Sequence, residues 1–176
     1  MARTVPSPPT EAPGNYWTSA LFNAQVRDLN NFALGVPVFR GYQASAQSVA
    51  NATWVSVAID TETLDSDGGH STVTNNSRYT PTVAGTYCVI GTAAFVGSAT
   101  TQRAARLTMN GSTSIGAAVA GGSGGSWWCA TTIDFFVMNG TTDYVELQAR
   151  QDSGGTLSTY TGTDFNSALR VFWLSR

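Results

Sequence analysis

After Pro37 the apolar residues of this chain recur at every second position, in short runs separated by breaks rich in Gly, Asn and Asp. A period of two puts alternate side chains on opposite faces of an extended strand, so such runs build sheet and not helix. In "TWVSVAID" (53–60) Val55, Val57 and Ile59 share one face, opposite Trp54, Ser56 and Ala58. In "TYCVIGTAAFV" (86–96) Tyr87, Val89, Ala93 and Phe95 alternate with Cys88, Ile90, Ala94 and Val96. Both sets are apolar, which predicts a strand covered on two sides.

Further runs of the same kind are "RLTM", "WCATTIDFFVM", "DYVELQAR", "GTLSTY" and "ALRVFWLS". Asn110-Gly111 and Asn139-Gly140 fall between apolar runs and can supply the positive φ angles of type I′ hairpin turns. Other breaks lie at "DSDGG" (65–69), "NNS" (75–77), "AGGSGGS" (120–126) and "DSGG" (152–155). About eight to ten short strands in roughly 140 residues predict an all-β antiparallel sandwich or jelly roll over residues 38–176. A chain of 176 residues has room for one such core, not two.

Ahead of the strands stand two segments of different character. Residues 1–15 carry Pro6, Pro8, Pro9 and Pro13, enough to prevent regular structure and to predict an extended, partly polyproline arm. "SALFNAQVRDLNNFALG" (19–35) then reads as a helix, with Thr18 or Ser19 as N-cap, Gly35 as terminator and Pro37 beyond it. Phe22, Val26, Leu29 and Phe32 or Ala33 form its apolar stripe, and Gln25, Arg27, Asp28 and Asn31 its wet side. A helix of about 16 residues is marginal alone in water, so this stripe requires cover from the β-domain or from sister helices.

The nine basic residues are all Arg, against eleven acids, for a net charge of -2, which speaks against a nucleic-acid partner. The longest apolar runs, such as "TIDFFVM" (132–138), are far below the roughly 18 residues that span a bilayer, so no membrane insertion is expected. "MARTVPSPPTEAPGN" lacks the apolar core of a secretory signal, and synthesis in a cytoplasm is expected. Cys88 and Cys129 then remain buried thiols, with a cross-strand disulfide as the alternative.

Candidate chemistry is sparse. "GGSGG" (121–125) satisfies the G-x-S-x-G hydrolase pattern around Ser123, but that elbow needs a strand feeding a helix, and a glycine tract reads as a surface loop. His70 is the single histidine, beside Ser71 and near Asp65 and Asp67. A catalytic set needs three residues converging from a distance, so a solvated loop histidine is expected. "DSDGG" lacks the spaced ligands and distal Glu of a calcium loop. Trp127 and Trp128 must point to opposite faces of a strand, so one needs cover, from a subunit interface or as a glycan platform. No cofactor or metal site is expected.

"RYTPTVAGTYCVIGTAAF" (78–95) resembles the central signature of the tumour-necrosis-factor and complement globular-head superfamily. "TWVSVAIDTETLDSDG" looks like the preceding strand and loop, and "DYVELQAR" with "GTDFNSALRVFWLSR" like the closing strands. The resemblance implies a homotrimeric jelly roll without enzymatic activity. "NYWTSALFNAQVRDLNNFALGVP" (15–37) is similar to segments that precede such heads in phages of actinobacteria, matching at Trp17, Asn23, Arg27, Asp28, Asn31, Phe32 and Pro37.

Together these readings describe a virion structural protein made in the host cytoplasm: a capsid decoration or head fibre, or a minor tail protein. Residues 1–15, with Pro6, Pro8, Pro9, Pro13 and Trp17, would anchor it to major capsid or tail proteins. Residues 16–37 would form a stalk whose Phe22, Val26, Leu29 and Phe32 meet sister helices. Head loops bearing His70 (65–70), Ser123 (120–126) and Ser153 (152–156) would be free to meet a host cell-surface glycan. The alternatives are a free trimeric lectin or ligand and a carbohydrate-active enzyme using an acid such as Asp134 or Glu146.

Overall fold

A computed structural model describes residues 5–8, 10–14, 16–98, 102–121 and 127–176. The helix starts where the sequence places it: Thr18 is extended, and its hydroxyl accepts the Leu21 N–H at 3.2 Å. It runs as α1 (Ser19–Phe22), a π turn (Asn23–Arg27) and α2 (Asp28–Leu34), and ends at Gly35. A π turn is wider than an α turn and slips the faces that follow it. The stripe read at a period of 3.6 is broken as a result. Phe22 and Leu29 are exposed and Val26 half-buried, whereas Phe32 is buried, its ring edge-on to Trp173 at 5.0 Å. Phe32 therefore docks the helix onto its own β-domain and is not available to sister helices.

The strands are β1 (Val38–Tyr42), β2 (Ser48–Val49), β3 (Val55–Ser56), β4 (Thr61–Asp65), β5 (Arg78–Tyr79), β6 (Gly85–Val96), β7 (Gln102–Met109), β8 (Ser112–Gly121), β9 (Trp127–Met138), β10 (Val145–Gln151), β11 (Leu157–Ser158) and β12 (Ala168–Ser175). One sheet has the order β4-β1-β12-β6-β9; the other runs β3-β10-β7-β8, with β5 also on β10; β2 and β11 form a small pair. Each ladder between these strands is antiparallel, and non-consecutive neighbours give the crossovers of a jelly roll.

The core lies between the two sheets and takes the expected alternate positions: Val57, Ile59, Tyr87, Val89, Ala93 and Phe95 are buried. Leu107 and Leu147 of one sheet meet Phe39, Leu169 and Val171 of the other in the same cluster. Tyr87 keeps its polar tip satisfied inside, donating to the Val83 carbonyl at 2.6 Å.

The two Asn-Gly pairs behave differently. Asn110 and Gly111 take φ of 52° and 76° and close the β7–β8 hairpin as a two-residue turn. After β9 the chain crosses to the other sheet, so no hairpin forms at Asn139-Gly140. There the Asn139 side chain accepts the N–H groups of Thr141, Thr142 and Asp143, and Gly140, at φ 74°, lies against the Ala84 backbone.

Strand directions divide the molecule into two ends. The helix enters at Val38, beside Phe172. Asp65 pairs with Phe39, so the loop after β4 lies at this same stalk end. Gln102 pairs with Gly121 and donates its N–H to Asp152 at 2.8 Å, which puts the residues at 121 and 152 together at the far end. His70 thus lies at the stalk end and Ser153 at the distal end. Ser123 lies outside the described residues.

Candidate functional site

The outward face of the β4-β1-β12-β6-β9 sheet carries an unusual load of apolar side chains. Ile133, Phe135 and Val137 of β9 are 55%, 62% and 73% exposed, and Leu64, Phe172 and Leu174 are also exposed. The ladders bring them into rows. Val38, Phe172, Cys88 and Phe135 stand side by side across four strands. The next row is Leu64, Arg40, Arg170, Ile90 and Ile133. Cys88 and Ile90, read as needing cover on two sides, are only half-buried here. At these two positions the chain supplies full cover on the core side alone. Burying the exposed part of six such residues would contribute roughly 6 kcal/mol, at about 1 kcal/mol each.

Farther up the same face the segment Thr161–Asn166 folds over the sheet and borders an open pocket of about 710 Å³. Its lining includes Arg40 and Arg170 from adjacent strands, Tyr42, Thr92, Cys129 and the loop residues Asp164, Phe165 and Asn166. Phe165 covers the outward tryptophan in part: it stacks on Trp127 at 3.8 Å and 23°, and 43% of Trp127 stays exposed. Ala44, on the pocket wall, and Ser45 donate their N–H groups to Asp60 at 2.6 and 2.9 Å. Partial burial works against the Asp60 carboxylate, but these donors hold its pKa below the usual range.

At the stalk end the arm turns back at Pro13-Gly14, and Glu11 accepts from the Gln25 side chain at 3.1 Å. Glu11, Tyr16, Trp17, Leu21 and Gln25 frame a small cleft. Tyr16, Trp17 and Leu34 remain largely in water. Pro8 and Pro13 are exposed and Pro6 half-buried; Pro9 lies outside the described residues.

The residues weighed for catalysis or metal are used structurally. The two oxygens of Asp65 accept the N–H groups of Asp67, Gly68, Gly69 and His70 at 2.9 to 3.3 Å, so "DSDGG" wraps its own carboxylate. Among the described residues no group of three His, Cys, Asp or Glu side chains is placed to share a metal. The expected solvated histidine is corrected: the His70 side chain is buried, its Nδ1 2.7 Å from Glu62 Oε1 and its Nε2 3.1 Å from the Asn76 carbonyl. Its ring lies 4.9 Å from Phe39, an apolar neighbour the sequence order conceals. Ser71 Oγ accepts from Val73 and Thr74, and so serves the loop. Glu146 is buried and holds Ser77 at 2.6 Å and Arg78 at 3.3 Å; Asp134 accepts the Phe135 N–H. Ser153 donates its N–H to Gln151 and its hydroxyl to Gly155.

Cys88 stands opposite Phe135 and Cys129 opposite Ala94, six positions along the same ladder, or about 20 Å at ~3.3 Å per residue. No disulfide can join them, and both are free. Burial pushes both thiols above the ordinary cysteine range.

Arg103 was not foreseen in the sequence. It points inward at the distal end, 2% exposed, with its guanidinium 6.0 Å from the Phe95 ring and Nη1 donating to the Gln102 carbonyl. Burial lowers its pKa, and Asp152 acts to raise it. An arginine inside an alternating strand was the available signal.

No protein-family profile matches this chain. No curated protein matches it either. Solved structures do. The globular domain of zebrafish complement 1qA superposes with a TM-score of 0.58 at 14% identity, over 80% of this chain and 98% of that one. Murine APRIL gives 0.59 at 11% identity, over 78% and 98%. Eiger TNF from S. frugiperda gives 0.56 at 10%, over 79% and 91%. Identities this low carry the fold alone, and the fold is that of the tumour-necrosis-factor and complement-head jelly roll.

Proposed function

We propose that this chain is a non-enzymatic structural protein of a virion, a homotrimer held to capsid or tail proteins by its N-terminal arm with the jelly-roll head exposed. The observation that carries the trimer is the bare apolar face: Ile133, Phe135 and Val137 on an edge strand, with Leu64, Phe172 and Leu174 on the strands beyond β6. An edge strand of one protomer set against the β1–β4 face of the next is a head-to-tail contact, which closes into a ring when the rotation fits.

The anchoring role rests on where the apolar residues of the N-terminal part lie. Tyr16, Trp17, Phe22, Leu29 and Leu34 are exposed, and all precede the entry to the head. Phe22 and Leu29 face sister helices or the particle, while Phe32 fixes the helix to the head. The likeness of residues 15–37 to segments of phages of actinobacteria supports the particle as the partner. Three weak arms binding together gain effective concentration and become a firm anchor. The distal loops around residues 121 and 152 to 156 are left to meet a host-surface glycan.

The test is incorporation. A chain lacking residues 1–15 is expected to fold and trimerise but to be missing from purified particles, as read by immunoblot against the full chain. Undiminished incorporation of the truncation contradicts the anchoring role. Detection of the full chain only in the particle-free fraction favours the free trimeric ligand or lectin.

A further inference from the structure

Arg40 and Arg170 face each other directly across the β1–β12 ladder, on the outward face of the sheet. Like charges so placed repel. Among the described residues neither guanidinium has an ion-pair partner. Both line the pocket of about 710 Å³, whose one carboxylate, Asp164, is exposed on the rim without an ion pair of its own. Two cations against one anion leave each pocket with an excess of one positive charge. Further donors line the same space: Tyr42 is part of the wall, and Asn166, whose side-chain oxygen takes the Gly162 N–H at 2.8 Å, carries an amide NH2 group that can serve a ligand.

In a lone protomer, water and salt screen this pair. In the trimer they would not. Arg170 stands next to Ile90, and Ile90 next to Ile133, within the face that the proposed neighbour covers. Covering it strips water from two like charges, a state that is stable only with a counter-charge of good geometry. We propose that this pocket binds a small multivalent oxyanion, a phosphate or a polycarboxylate, held by the paired forks of Arg40 and Arg170 at each seam between protomers. Guanidinium forks match the oxygen spacing of both ligand types. The proposal rests on the trimer reading above, and the anion acts as a fastener of that trimer.

The test uses the full chain freed of phosphate and polycarboxylates in sodium chloride. Inorganic phosphate and citrate are titrated separately by calorimetry, with melting temperature and sedimentation followed at matched ionic strength. Saturable binding of one anion per protomer is expected, with a rise in melting temperature that sodium chloride does not give. The stronger of the two arms identifies the ligand type. Arg170→Gln and Arg40→Gln should each weaken binding at least tenfold, and neither should lower the melting temperature in anion-free buffer, because each relieves the repulsion. Arg150→Gln, on the other sheet, should bind as the parent does. A trimer that shows no saturable binding, or variants that bind as tightly as the parent, overturns the anion site and leaves the trimer standing. A monomer at every anion concentration overturns the trimer and the seam site with it.

Discussion

Phe135→Ser separates the cost to the fold from the cost to the assembly. Phe135 sits on the edge strand β9, outward, with 62% of its surface in water and Cys88 as its ladder neighbour. Because it lies outside the core, its truncation should lower protomer stability by at most about 1 kcal/mol. A fully buried Phe contributes about 1.5 to 3 kcal/mol, so the exposed part recovers roughly 1 to 2 kcal/mol when a neighbour covers it. Three copies make roughly 3 to 6 kcal/mol per trimer, or about two to four powers of ten in the association constant. The midpoint concentration for three monomers forming one trimer follows the square root of that constant, and should rise by about one to two powers of ten. Sedimentation velocity over a dilution series reads the midpoint, and thermal unfolding of the dissociated chain reads the fold. A midpoint that moves less than twofold, with the fold intact, refutes the assignment of this face to the trimer.

Other perturbations probe single elements. Phe32→Ala removes the ring that packs edge-on against Trp173, and should expose the amides of residues 19–34 to hydrogen exchange while those of β6 stay protected; unchanged helix protection would show that the contact does not dock it. Asp65→Ala strips four backbone N–H groups of their acceptor and should cost about 3 kcal/mol or more, read by urea unfolding, whereas a loss below ~0.5 kcal/mol would contradict that role. Cys88 and Cys129, with pKa values pushed up by burial, should carry less thiolate at neutral pH than a free cysteine and alkylate slowly, faster as pH rises. Non-reducing peptide maps of the oxidised protomer should show no link between them.

The strand run after Pro37 was legible because a period of two is a property of neighbouring residues, and Tyr87, Val89 and Phe95 went to the core as their spacing required. Asn110-Gly111 was legible for the same reason, since its turn depends on two residues alone. Which apolar set lacks cover was not: the Cys88 and Ile90 side of β6 differs from the core side only in what the rest of the chain lays against it. Asn139-Gly140 carried the same signal as Asn110-Gly111, but β9 and β10 belong to different sheets, and sheet membership is a long-range fact. The π turn slipped Phe32 away from Phe22, which an assumed α period cannot reveal. His70 looked like a loop residue by its Gly and Ser neighbours, and became interior through Phe39, thirty-one positions away. Arg40 and Arg170 are far apart in sequence and meet only through the β1–β12 register.

If copies of this chain cover the outward face of the β4-β1-β12-β6-β9 sheet, sedimentation equilibrium of the full chain should give one species at three times the protomer mass of 18.5 kDa at micromolar concentration. A species that stays at 18.5 kDa across the concentration range, or settles at twice that mass, rules out such a trimer.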